Sequence, residues 1–157
     1  MSMEEKEIES IAVKAMKKFP YKIKNPIILF MKKKEFSKYL NGMNLVKHLN
    51  KTPCFVAEMK GGDVIYYCED IINGLVKGLR KETRIKFIEG ITLHELFHVY
   101  NHMPVNSRSG ALFSEELVHE ELDEKFPEQA KVLKRFKKKW KKLLKLGLLE
   151  VMRLRLM

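Results

Sequence analysis

The stretch "GITLHELFHVYNHMP", residues 90–104, decides how the rest of the chain is read. It sets three histidines and a glutamate in an apolar run that stops at Pro104. Around them, Phe87, Ile88, Ile91, Leu93, Leu96, Phe97, Val99, Tyr100 and Met103 leave no polar face wide enough for a surface helix. A helix from Thr83 to Met103, ended by the proline, must therefore be buried. Residues four apart on it point the same way, so His94, His98 and His102 fall within about 80° of one another, with Glu95 at the edge of that sector. Imidazoles and a carboxylate are costly to bury without partners, so this stripe needs an internal reason.

The reason on offer is HELFH, an HExxH pattern. Two imidazoles one turn apart can hold one Zn²⁺, His94 and His98 here, and the glutamate between them reaches a water beside the ion. The metal makes that water acidic, and Glu95 is the candidate general base that takes its proton as a carbonyl is attacked. By composition alone a chance HExxH arises in roughly 1–2% of such chains, so the pattern draws its weight from the buried helix around it. The competing reading is a core histidine cluster satisfied by its neighbours.

Zinc needs a third protein ligand. His102 lies about 6 Å further along the helix than His98, and "VYN" between them holds no glycine to break the helix, so His102 is read as lining the cleft. The next helix is a better source, in "FSEELVHEELDEKF", residues 113–126. Glu116, 18 residues past His98, is the expected ligand, and Glu120 one turn beyond it can hold a ligand histidine by its free N–H. Glu115 and His119 share a face with Leu122 and Phe126, the more apolar side, and together with Glu120 and Glu121 they stand as rivals. The bland alternative is a solvated acidic helix face.

With these residues in hand, the sequence resembles the gluzincins, zinc metallopeptidases in which HExxH is followed by a glutamate ligand on a later helix. Its small size is most like the single-domain minigluzincins. The order helix, hairpin, HExxH helix, glutamate helix is also similar to a neighbouring group of phage-repressor-cleaving and radiation-response peptidases. The likeness spans roughly residues 53–126, and HExxH is its sharply specific part. Two departures stand out: the asparagine expected just before the ligand glutamate is Glu115, and the acidic residue four positions after it is Glu120 rather than aspartate. The resemblance implies a zincin-like α+β fold, one zinc ion, and a peptide or protein substrate added as a strand beside the active helix. "VIYYC" is the expected counterpart of that substrate-binding strand. Tyr66 or Tyr67 could then support an oxyanion, against the plainer reading of ordinary strand aromatics.

Outside the site, 157 residues with 45% hydrophobic content suffice for one domain with its own core, taken as residues 1–157. An amphipathic helix is expected over residues 3–18, a buried strand at "IILFM" after Pro26, and a short helix in "KKEFSKYL" ending at Asn41-Gly42. A hairpin of residues 53–59 and 63–69 turns at Gly61-Gly62. "IINGLVKGLRKET" has two glycines and no clean period. "VNSRSG" reads as a loop, residues 111–126 as a helix, and about 128–146 as a third one. Cys54 and Cys68 fall roughly opposite each other across the hairpin, and two buried thiols are favoured over a disulfide in a reducing cytosol. No apolar run is long enough to span a membrane, and the acidic start "MSMEEKEIES" is unlike a signal peptide, so a cytoplasmic location is expected.

The net charge of +11 is concentrated at one end: residues 131–157 hold eleven of the 31 Lys/Arg and one glutamate, and the rest is nearly neutral. That argues against an all-over nucleic-acid-binding surface. The tail, "VLKRFKKKWKKLLKLGLLEVMRLRLM", carries an apolar stripe of Val132, Leu133, Phe136, Trp140, Leu143 and Leu144 opposite its lysines. It can pack on the core, or contact an anionic membrane surface or nucleic acid. After Gly147 it alternates like a strand, so residues 148–157 can dock in the cleft of their own or a neighbouring chain and restrain activity. Three function classes follow: a zinc endopeptidase, a metal-bearing regulatory or peptide-binding protein without turnover, and a basic-tailed surface-binding protein in which HExxH is incidental.

Overall fold

A computed structural model of the chain describes residues 3–32, 34–35, 53–59, 61–101 and 108–136, with side chains left aside at 57–59 and 108–116. Of the expected helix at "KKEFSKYL", only Lys34 and Glu35 are among these residues, and both are helical; the rest of it, His102, Pro104 and the tail beyond residue 136 lie outside them. The fold is α+β and mostly helical, with a three-stranded mixed sheet. In chain order it runs α1 (Glu5–Lys18), β1 (Ile27–Phe30), β2 (Cys54–Met59), β3 (Gly62–Tyr67), α2 (Glu69–Val76), α3 (Lys81–Tyr100), α4 (Arg108–Lys125) and α5 (127–136). Among the described residues no helix is long and apolar enough to cross a membrane.

The sheet order is β1-β3-β2, with β1 parallel and β2 antiparallel to β3. β3 is therefore the central strand, which explains why "VIYYC" is apolar without alternation: Val64, Ile65, Tyr66 and Tyr67 are all buried. Its place between two strands corrects the expectation that β3 receives a substrate strand, since both its edges are already paired. The hairpin register sets Cys54 against Tyr67, so Cys68 is one position beyond and faces the other side of the sheet. Both cysteines are buried, and they are not joined in a disulfide. At the turn, Gly62 has φ of +130°, a conformation that disfavours any side chain.

One face of the sheet (Cys54, Val56, Ile65, Tyr67) joins the main core, which α1 and α3 complete. α1 buries Ile8, Ile11, Ala12 and Ala15, the stripe expected from its spacing, with acidic residues in its first turn and lysines in its last. The segment without a clean period, residues 71–83, carries most of α2, which starts two residues earlier at Glu69 and buries Ile72 and Val76 one turn apart. Gly78, with φ of +81°, lies in the turn before α3. Asn73 of α2 holds the N-terminal segment, accepting from Met3 N–H at 2.6 Å and donating to Met3 O at 3.0 Å. α4 begins at Arg108, so the last three residues of "VNSRSG" are helical rather than loop.

Candidate metal centre

α3 runs through the core. Every residue from Phe87 to Val99 is buried, including Glu89, Thr92, His94, Glu95 and His98. Burial on this scale requires each polar group to be satisfied within the protein. Glu89 pairs with Lys18 of α1 at 2.9 Å. Thr92 Oγ1 donates to Ile88 O at 2.8 Å, which leaves it to accept from Tyr67 Oη at 2.6 Å. Tyr67 is thereby fixed in the core and corrected as an oxyanion group: its hydroxyl points into the helix, and burial raises its pKa well above the ordinary tyrosine value. Tyr66 packs on Phe55 with ring centroids 5.3 Å apart and is 7% exposed, an ordinary strand aromatic.

His94 and His98 face each other. Their Nε2 atoms are 3.1 Å apart, and their ring centroids 4.8 Å apart. Two ligand nitrogens at the usual zinc distance from one tetrahedral ion sit about 3.3–3.4 Å apart, so the pair is already close to that arrangement. At this distance the two Nε2 atoms are within hydrogen-bond reach, with the donor set by the tautomers of the rings. The local cause is helical: a spacing of four residues stacks the rings on one face, and the surrounding core confines them there.

Glu95 points elsewhere. Its Oε2 accepts a hydrogen bond from Val56 N–H of β2 at 3.1 Å. In the β2–β3 ladder Cys68 N–H bonds to Pro53 O, so by antiparallel alternation Val56 turns its N–H away from β3. The HExxH glutamate thus caps an outward amide of the edge strand, tying α3 to β2. Cys54, on the same strand, donates weakly to Ile91 O at 3.8 Å. Burial, with Glu95 adding to it, raises the Cys54 pKa well above the usual thiol value, which keeps it a neutral thiol.

α4 brings a third histidine: the His119 ring lies 5.1 Å from that of His94. Among the described side chains of this helix, Val118 and Leu122 are buried, and Leu117 is 40% exposed. Viewed down the helix axis, position 115 falls about 20° from Leu122 and about 40° from His119, whereas position 116 falls about 120° from Leu122. Glu116, the expected ligand, thus stands on the backbone further round from the buried side than Glu115. Glu120 is exposed. Glu121 is engaged by Tyr21, whose hydroxyl donates to it at 3.1 Å. Among the described residues, no group of three or more His, Cys, Asp or Glu is close enough to hold an ion.

Several contacts that shape the site were not read from sequence. Tyr21, in the segment after α1, stacks on Tyr100 at 4.2 Å, and Phe19 meets Phe97 at 5.0 Å edge-on. These rings fasten the end of α3 to the chain leaving α1. The helix ends at Tyr100, three residues short of the expected Met103, and its C-cap Asn101 donates from both its backbone N–H and its side-chain Nδ2 to Phe97 O. No protein-family model, curated protein or solved structure matches this chain.

Proposed function

We propose that the chain is a zinc-dependent endopeptidase with a zincin-like arrangement, in which His94 and His98 hold the ion and Glu95 is the general base. The observation that carries this reading is the convergence of two buried Nε2 atoms to 3.1 Å on a helix that is otherwise core. Bound zinc supplies Lewis acidity, polarising a carbonyl and making water a nucleophile at neutral pH. Glu95 takes a proton from the attacking water and passes it to the departing amine. The third ligand comes from α4. His119, whose ring lies 5.1 Å from that of His94, is one candidate, and Glu116, the residue the resemblance points to, competes with it. β2 is the outer strand beside the site, and because its Val56 amide is taken by Glu95, an extended peptide pairing there would have to displace that bond.

The bond from Val56 N–H to Glu95 favours one other reading, a metal-bearing peptide-binding protein in which Glu95 is structural. Zinc content of the purified chain, with peptide cleavage by the wild type and Glu95→Gln, tests the two together. The peptidase reading expects about one zinc per chain in both proteins and a loss of activity by about 10²–10⁴-fold in Glu95→Gln, since glutamine can still accept from Val56 but cannot take a proton. Stoichiometric zinc without any cleavage by the wild type would favour the binding protein. Full zinc retention by His98→Ala would overturn the metal site itself.

A further inference from the structure

The other outer strand, β1, lies across the sheet from the histidine pair. Among the described residues no strand pairs with its second edge. Met31 N–H bonds to Tyr67 O at 2.9 Å, and in a parallel ladder alternate residues turn both backbone groups the same way. Ile28 and Phe30 therefore present their N–H and C=O groups to the open side. Ile27 and Leu29 are 57% and 44% exposed on the sheet face away from the core. On the other face, a cavity of about 340 Å³ lies between α1 and β1, lined by Val13, Met16, Pro26 and Ile28 with the exposed Glu9 and Lys17. An added strand would set side chains of one parity against this cavity and those of the other beside Ile27 and Leu29. Both ends of the strand are basic: Lys22 and Lys24 precede it, Lys32 and Lys34 follow it, and all four are exposed.

We propose that the open edge of β1 docks an extended protein segment with an apolar centre and Asp or Glu at both ends. The backbone groups give it a ladder, the cavity and the Ile27/Leu29 row take its apolar side chains, and the four lysines meet its ends. Charge selects this occupant over two others. A second copy paired through β1 would set lysines against lysines. The chain's own residues 148–157, with Arg153 and Arg155 against a single Glu150, carry the same sign as the edge. A nucleic acid would use the lysines but neither the ladder nor the apolar surface. This site stands independently of the metal reading.

The test uses the full chain and a labelled synthetic peptide of alternating valine and threonine between Asp-Glu pairs, with the same centre between Lys-Lys pairs as control. Fluorescence anisotropy should find the acidic peptide binding at least about tenfold tighter at low salt, with the difference shrinking as salt screens the charges. Lys24→Glu with Lys32→Glu leaves each named pair of lysines with no net charge and should abolish the preference, and Leu29→Lys should weaken binding of either peptide, with thermal melts checking that each variant is folded. Equal binding of the two peptides, or none, would overturn the proposal and leave the lysines as guards against edge-to-edge association. So would displacement of the peptide by polyuridylate with the variants unaffected. A concentration-dependent dimer abolished by Leu29→Lys would reassign the edge to a second copy.

Discussion

α3 and α4 pack against each other and carry their polar groups in opposite ways. The run from Phe87 to Val99 on α3 is buried on every side, and Glu89, Thr92, Glu95 and the histidine pair each meet a partner inside the fold. On α4, Val118 and Leu122 are buried while Glu120, Asp123 and Glu124 are exposed. The histidine pair of α3 shares a face by local geometry, because a helix puts residues four apart on one side, and the core around it confines the rings there. What α4 offers that pair depends on how the helix is rotated. That rotation is set by Val118 and Leu122 in the core, and by the anchors from Tyr21 to Glu121 and from Lys134 to Asp123 at 2.9 Å.

The sharpest way to break this comparison is to ask which α4 residue the metal needs. His119→Ala should lower zinc affinity by about a hundredfold or more, against about tenfold for Glu116→Ala, the scale expected of a residue that only supports a ligand. Competition with a fluorescent zinc chelator reads both values, and the opposite order would return the ligand to Glu116.

Next in size is the closed character of α3 on its far side. A Cβ at Gly90 would meet Leu133 of α5 at 3.1–3.3 Å. Gly90→Val should destabilise the fold by about 1–3 kcal/mol through overpacking, read from urea denaturation, and an unchanged midpoint would mean that α5 yields easily. Glu95 comes third. Glu95→Ala leaves the Val56 amide without this acceptor, so it should be about 1–2 kcal/mol less stable than Glu95→Gln in the zinc-free protein. Equal stability would show that water replaces the carboxylate there.

The smallest expected effect belongs to Tyr67→Phe. It removes one buried hydrogen bond to Thr92 and should cost about 1 kcal/mol. Cleavage should stay within a few-fold of wild type, because the hydroxyl is spent inside the helix. A loss of activity by a hundredfold would restore Tyr67 as a group of the site.

Much of this was legible in advance for a physical reason. Periodicity gave α1, with its buried Ile8, Ile11, Ala12 and Ala15, and unbroken hydrophobicity gave the buried α3. The turn at Gly61-Gly62 gave the hairpin, with β2 and β3 within a residue or two of their expected ends. α2 is hidden because Gly74 within it and Gly78 just after it blur the period, although Ile72 and Val76 sit one turn apart. The place of β3 was misjudged although a signal existed: four consecutive buried residues mark a strand covered on both faces, which is no open edge.

What the sequence by itself determined is the chemistry written in short spacings. His94 and His98 share a face because a helix repeats every 3.6 residues, and no distant contact is needed for that. Only the tertiary structure decided the rest. It directed Glu95 to the Val56 amide, locked Tyr67 onto Thr92, and set His119 beside His94. Each of these joins residues 25 to 39 positions apart, and their meeting depends on strand order, ladder register and helix rotation. Those are settled by packing the whole core at once, so no local pattern in the chain encodes them.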